Sequence, residues 1–190
     1  MKINRCFNWI REKFKKMLDE MHERERKETL AKYSEFVYDC YRNKNNTLIG
    51  NFSYEGYRNI FENMISGASF SIYIFCEDYD KIFTDELFPM FLFKAQSGIR
   101  VRIITYGNKE PRFEQLNNSH ADYKYYSVHT EHPERLNNFI VVDEKSYWMD
   151  DKSWFIRKDF SRLKACANFC DFRRCVELLN ICNKAIEIAK

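Results

Sequence analysis

The sequence predicts an α/β fold in which helices flank a mixed β-sheet, with an amphipathic helical extension at the N-terminus. Residues 69–76 and 100–106 are apolar segments rich in strand-forming residues. Between them lies a predicted helix that begins with Thr84 as N-cap and ends at Gly98. This order of elements implies two parallel strands joined by a crossover. Aromatic residues make up 17% of the chain, with only 5 Gly and 3 Pro, which indicates a packed globular protein.

Residues 1–46 are predicted to form the helical extension. Apolar residues recur there in steps of four and three, a seam typical of a short coiled coil, at Ile3, Phe7, Ile10, Phe14, Met17 and Met21. The opposite face is basic. Three roles remain open for this helix: packing on its own domain or on a second copy, contact of residues 1–21 with a membrane surface, or contact with nucleic acid.

Residues 47–190 are predicted to form the α/β domain. Helices are expected after Ser53, where an apolar face ends at Gly67, and over 112–118 and 171–189. The remaining predicted strands are 122–128, 138–142, 146–149 and 163–169, with a tight turn at 143–145 joining the second and third of these. The buried face of the last helix is predicted to comprise Val176, Leu179, Cys182 and Ile186.

The seven cysteines indicate reduced thiols. None forms a C-x-x-C pair, and the gaps between Cys166, Cys170, Cys175 and Cys182 fit no common zinc site, so no metal and no cofactor is expected. Because no secretory segment is recognised at the N-terminus, the expected location is the cytoplasm. A net charge of +3 is too small to imply a nucleic-acid partner by itself.

Four features in order are similar to one half-unit of the phospholipase D-like family. Residues 54–65 resemble its first helix, and residues 69–76 resemble its first core strand. Residues 98–104 (GIRVRII) are similar to its helix-to-strand passage, and residues 138–143 precede a turn and a second hairpin strand as in the family motif. The resemblance covers roughly residues 48–189.

The resemblance implies phosphodiester chemistry without metal, which in this family depends on the motif H-x-K-x4-D. One histidine attacks phosphorus, the histidine of a second motif protonates the leaving oxygen, and the lysines hold the phosphate. Counted back from Asp143, the lysine position is Asn138 and the histidine position is Leu136. Family members with one unit per chain, which include nucleases, commonly act as homodimers with two motifs face to face.

These replacements predict a phospholipase D-like domain without catalytic residues. Leu136 has no nucleophilic atom, and Asn138 offers a hydrogen bond to phosphate but no charge. The family's small-residue segment falls near Asp150 and Asp151, whose carboxylates would repel phosphate. The expected function is therefore a homodimeric binding module for nucleic acid or a protein partner, whose degenerate cleft comprises Leu136, Asn138, Asp143, Asp150 and Asp151.

Two other functions stay open. One is a phosphodiesterase or nuclease that uses relocated histidines from one short stretch, His120, His129 and His132, although loop histidines are more often solvated surface residues. The other is an adaptor that binds membranes through its basic N-terminal helix.

Overall fold

The chain forms two compact units, Met1–Phe36 and Val37–Lys190. A computed structural model of the chain describes residues 2–51, 54–76, 87–106, 111–115, 117, 120–129, 137–150 and 165–189. The predicted N-caps Ser53 and Thr84 lie outside these ranges.

The first unit is helical, as predicted. Helix α1 spans Lys2–Arg42, and its first part makes up this unit. Ion pairs with a spacing of four residues run along its surface, such as Lys16–Glu20 at 3.9 Å. Within the unit, Met17 and Met21 of the predicted seam are exposed by 54% and 47%. No helix in the described ranges is long and apolar enough to cross a membrane.

The second unit contains a seven-stranded mixed sheet, which confirms the predicted fold class. Strands β2, β3 and β4, at one side of the sheet, are parallel, and the other neighbours pair antiparallel. The spatial order is β1-β7-β6-β5-β2-β3-β4. The strands are β1 Ile49–Asn51, β2 Ser71–Cys76, β3 Arg100–Thr105, β4 Tyr123–Ser127, β5 Phe139–Val142, β6 Ser146–Asp150 and β7 Ala165–Asn168.

Strand β1 is the element that the sequence did not indicate. It has three residues with a glycine at its centre, too few to show a period, and it forms only by pairing with β7. The other helices are α2 Tyr54–Ser66, α3 Phe88–Gln96, α4 Pro111–Gln115 and α5 Phe172–Ile188. Gly98, with a φ of 82°, follows α3 and enables the left-handed turn into β3, as expected for a glycine stop.

The end of α1 belongs to the second unit. Val37 and Cys40 are buried, and the ring of Tyr41 meets Phe169 edge to face with centroids 5.4 Å apart. Gly67 leaves room for this tyrosine, since a Cβ there would overlap the Tyr41 hydroxyl. A larger residue at position 67 would therefore displace the Tyr41 side chain.

The two faces of the sheet carry separate apolar layers. On one face, Phe61 of α2 meets Trp148 of β6 with ring centroids 5.1 Å apart at 90°. On the other face, α5 covers a cluster in which Phe75 stacks on Phe139 with centroids 5.0 Å apart. Helix α5 buries Cys175, Leu178, Cys182 and Ala185 against this cluster.

The predicted buried face of α5 was therefore wrong in one respect. Cys182 is buried as expected, but Val176 is 53% exposed, while Leu179 and Ile186 are half-buried. The helix carries adjacent apolar stripes, and periodicity alone does not show which of them meets the sheet.

The predicted turn at 143–145 joins β5 to β6. Asp143 and Glu144 have φ values of 53° and 59°, the positive angles that a tight hairpin requires at its two central residues. The Asp143 carboxylate accepts hydrogen bonds from the backbone N–H groups that enter β2, those of Ser69 at 2.9 Å, Phe70 at 2.7 Å and Ser71 at 3.0 Å. One side chain thus ties the hairpin turn to the start of the neighbouring strand.

We expect Asp143→Ala to lower the free energy of unfolding by about 2–4 kcal/mol, because three donors lose their acceptor. Asp143→Asn is the matched control, since asparagine tolerates the positive φ and retains one acceptor oxygen. Its expected loss is about 1 kcal/mol. Urea unfolding measures both values, and an equal loss in the two variants would show that the carboxylate does not act through these bonds.

Candidate binding site at the carboxyl ends of the parallel strands

Asn138, just before β5, and Asp150, the last residue of β6, meet at one edge of the sheet. Because β5 runs antiparallel to β2, its first residue, Phe139, pairs with Phe75 near the end of β2. Cys76, Tyr106, Asn138 and Asp150 stand at this edge, which we call the site edge. Ligands of open α/β sheets bind beyond the carboxyl ends of parallel strands where the strand order reverses, and β2 is that strand here.

Asn138 is the centre of a buried polar cluster. The hydroxyl of Tyr106 donates to its Oδ1 at 2.8 Å, and its Nδ2 donates to Oδ2 of Asp150 at 3.2 Å. The Asn138 backbone N–H donates to the other oxygen of Asp150 at 3.0 Å, and the Asp150 N–H donates to the Asn138 carbonyl at 3.0 Å. All three residues are between 1% and 3% exposed.

This cluster differs chemically from a phosphate site. The amide of Asn138 donates to Asp150 and accepts from Tyr106, and it carries no charge. The adjacent Asp150 is a carboxyl group, which as an anion opposes the approach of phosphate. The arrangement thus binds one of the chain's own acidic side chains through the side chain and the backbone of Asn138.

The structure brings together only part of the predicted cleft. Asn138 and Asp150 are in contact, whereas Asp143 lies at the other end of β5 and acts in the turn. Asn138 and Asp143 flank β5 and are five residue steps apart, which corresponds to about 16 Å at roughly 3.3 Å per residue. Leu136 and Asp151 lie outside the described residues.

The predicted histidines do not form one group in the described part of the chain. His120 precedes β4 and His129 follows it, so the two imidazoles stand at opposite ends of that strand. His129 is exposed and follows the carboxyl end of β4, on the same edge as Asn138 but beyond the neighbouring strands β2 and β3. His132 lies outside the described residues.

Tyr106 is the member of the cluster that sequence reasoning missed. Tyr106 is the last residue of the predicted strand 100–106, and no role was predicted for it. Its position offered the only signal, because side chains just beyond parallel strands commonly face the ligand site. Its partner Asn138 lies 32 residues further along the chain, which is a distance that no local pattern spans.

The described cysteine side chains are mostly buried. The cysteines with described side chains are free, as predicted: Cys40, Cys76, Cys166, Cys170, Cys175 and Cys182. Burial raises the pKa of both Cys175 and Cys182 to about 12, so these thiols stay protonated and weakly nucleophilic near neutral pH. Within the described ranges, no group of three or more His, Cys, Asp or Glu side chains is placed to hold a metal ion.

The fold is that of phospholipase D-like proteins, as the sequence motifs predicted. NucT from Helicobacter pylori matches 76% of this chain over 96% of its own, with a TM-score of 0.57 and 17% identity. Nuc from Salmonella typhimurium, a phospholipase D family member, matches with the same coverage, a TM-score of 0.57 and 14% identity.

A third structure is similar over a longer part of the chain. TrmBL2, an archaeal chromatin protein whose structure shows a novel mode of DNA binding, matches 93% of this chain over 68% of its own. The TM-score is 0.59, with 14% identity. No protein-family model matches the sequence, and no curated protein matches it.

We expect Asp150→Ala to lower the free energy of unfolding by about 2–3 kcal/mol and Tyr106→Phe by about 1 kcal/mol, since each removes hydrogen bonds to Asn138. Because both residues act on one side chain, the double variant should lose less than the sum, by at least about 0.5 kcal/mol. Urea unfolding of the four proteins measures this coupling. Strictly additive losses would mean that the cluster does not behave as a unit.

Proposed function

We propose that this chain is a phospholipase D-like module that binds nucleic acid as a homodimer and does not hydrolyse it. The observation that carries this proposal is the buried pair of Asn138 and Asp150 at the site edge. A neutral amide takes the lysine position there, and a carboxylate accepts from both its side chain and its backbone.

The absence of hydrolysis follows from what such a reaction needs. Transfer from a phosphodiester requires a nucleophile and cationic groups that stabilise charge on the phosphoryl oxygens. Leu136 supplies no nucleophile at the histidine position, and Asn138 supplies no charge. An ionised Asp150 acts against negative charge that develops beside it.

Nucleic acid is the favoured partner because of α1 and the similarity to TrmBL2. The sequence places Lys2, Arg5, Arg11, Lys13, Lys15 and Lys16 in the first turns of this helix, against a single Glu12. The match to TrmBL2 covers 93% of the chain, so it extends into α1, and TrmBL2 is a chromatin protein that binds DNA. Phosphate contacts by lysine and arginine give such binding its affinity.

We expect the purified chain to leave single- and double-stranded DNA, RNA and a chromogenic phosphodiester uncleaved in end-point assays. Asn138→Ala and the neighbouring Asn137→Ala test any trace activity as a matched pair. Cleavage that disappears in Asn138→Ala but persists in Asn137→Ala would overturn the non-catalytic proposal. Cleavage that is equal in both variants points to a contaminating nuclease.

A second candidate is a phosphodiesterase with a relocated histidine, and the exposed position of His129 on the site edge favours it. This candidate predicts turnover that is lost in His129→Ala and retained in His120→Ala, since His120 stands at the other end of β4. Equal activity in these two variants contradicts it.

We expect DNA affinity to fall about tenfold between 50 and 200 mM salt, the decrease for about two phosphate contacts. Lys15→Ala with Lys16→Ala should flatten this dependence, whereas Lys27→Ala with Lys32→Ala on the same helix serves as the charge-matched control. Fluorescence anisotropy over a salt series measures both slopes. A flat response in the unaltered chain would exclude nucleic acid, and binding to anionic vesicles instead would favour the membrane alternative.

A further inference from the structure

Strand β4 carries different residues on its two faces. On one face, Tyr123 and Tyr125 are buried, and the rings of Phe88 and Phe113 lie against them with centroids 6.2 and 5.7 Å away. Phe88 begins α3 and Phe113 lies in α4, so these two helices cover that face. The opposite face belongs to the α5 side of the sheet, since Tyr126 packs against the α5 cluster. The side chains on this second face are thus out of reach of α3 and α4.

Five neighbouring side chains on the α5 side of the sheet reach solvent. Tyr73 pairs with Arg102 across β2 and β3, and Arg102 pairs with Lys124 across β3 and β4. Paired residues, and residues two apart in one strand, point to the same face of a sheet, so Arg100 and Tyr126 share this face. Arg100 is exposed, and the other four residues are half-buried. We call these five residues the basic sheet face.

The two half-buried cations of this face have neutral partners. Nη1 of Arg102 donates to two backbone carbonyls, that of Asp122 at 2.8 Å among them. Nζ of Lys124 donates to the Asn117 carbonyl at 3.1 Å. Within the described ranges, neither cation forms an ion pair. Both side chains are therefore held in place while their positive charge is left without an opposite charge.

An anion bound at this face would supply that opposite charge. A charge that is partly removed from water without an ionic partner costs free energy. Acidic residues border the face at two places, at Asp122 beside the start of β4 and in a cavity of about 440 Å³ that Arg100 lines together with Asp143 and Glu144. The two half-buried cations do not line this cavity. The middle of the basic sheet face is thus the part that suits an anion.

The two tyrosines place an aromatic ring on either side of the cations. Both pack on one side against the α5 cluster and are half-buried. Tyr126 lies two strands from Tyr73 and one side-chain row nearer the site edge, so about 12 Å separates them. The path from one ring to the other passes Arg102 and then Lys124. A leucine would fill the same apolar space, so packing alone does not account for an aromatic ring with a polar tip at both positions.

We propose that the basic sheet face binds single-stranded nucleic acid. Bases stack on the rings of Tyr73 and Tyr126, and the phosphates between them lie against Arg102 and Lys124. Every base has a π-face, so stacking on aromatic side chains beside a basic groove holds single strands of any sequence. In a duplex the bases are stacked on one another and do not reach the tyrosines. This inference goes beyond the contact by α1, and it rests on the proposed function in that the partner is nucleic acid.

The location of the face agrees with binding without hydrolysis. Arg102 lies four residues before Tyr106, which corresponds to about 13 Å at roughly 3.3 Å per residue. Lys124 is the second residue of β4, also near the start of its strand. Phosphates bound there stay away from the Asp150 carboxyl at the site edge, which would repel them. The strand is thus held on the sheet without entering the degenerate cleft.

The first test compares a fluorescent oligothymidine of about 12 nucleotides with a duplex of the same length, using anisotropy at one salt concentration. The unaltered chain should bind the single strand about tenfold more tightly. Tyr73→Leu with Tyr126→Leu keeps the apolar packing but removes both rings, so this preference should disappear while duplex affinity stays unchanged. Phe93→Leu is the matched control, because this 66% exposed ring lies on α3 at the other side of the sheet. It should bind as the unaltered chain does.

The second test removes the two charges. Arg102→Gln with Lys124→Gln retains donors for the backbone carbonyls, and it should lower the slope of log affinity against log salt by about 1.4, at about 0.7 per phosphate contact of a single strand. Arg58→Gln, an exposed position on α2 at the other side of the sheet, should leave the slope unchanged. Circular dichroism checks that each variant is folded.

A third readout needs no variant. An oligonucleotide that contains 5-iodouracil should crosslink on irradiation to Tyr73 or Tyr126 of the unaltered chain, because a stacked base lies against the ring. Mass spectrometry of the digested complex locates the crosslink. Crosslinks confined to α1 would overturn the inference.

The outcomes separate this inference from the proposed function. Equal affinity for single strand and duplex, or single-strand binding that neither double variant weakens, overturns the basic sheet face and leaves binding through α1 intact. Tighter binding of polyglutamate than of oligothymidine also overturns it and assigns the face to an acidic protein. A chain that binds neither form of DNA overturns the inference together with the nucleic-acid partner. Cleavage of the oligonucleotide overturns the non-catalytic function alone.

Discussion

The tie between the Asp143 carboxylate and the backbone N–H groups of residues 69–71 determines how the rest of the sheet is arranged. It fixes the β5–β6 turn against the start of β2 and thereby sets the register of β5 on β2. A shift of one residue would turn every side chain of β5 to the opposite face. Phe139 would then leave the stack on Phe75, and the layer under α5 would lose its centre.

The same register creates the cluster at the site edge. With Phe139 opposite Phe75, Asn138 stands just beyond the end of β2, and the hairpin brings Asp150 back beside it. The turn residue Asp143 and the cluster residue Asn138 thus lie at the two ends of one strand, about 16 Å apart. Asp143 acts by accepting hydrogen bonds from backbone N–H groups, and Asn138, five residues before it, determines the chemistry of the site edge.

Much of this could be predicted from local sequence. The apolar alternation in 69–76, the glycine stop at Gly98 and the hairpin around Asp143 each depend on nearby residues, and each was found as expected. β1 was missed because three residues carry no period. Val176 was assigned to the wrong face because α5 has two apolar stripes, and only the sheet decides between them.

The sequence by itself determined the α/β class, the order of the elements other than β1, and the presence of leucine and asparagine at positions 136 and 138. These properties follow from residue types at short spacings, because local sterics and solvation favour a helix, a strand or a turn for a given short pattern. Only the tertiary structure decided that Asn138 meets Asp150 and Tyr106, that Asp143 lies away from them, and that His120 and His129 stand at opposite ends of β4. Those pairings depend on strand order and register. Both are determined by residues that lie far apart in the chain and pack in one core.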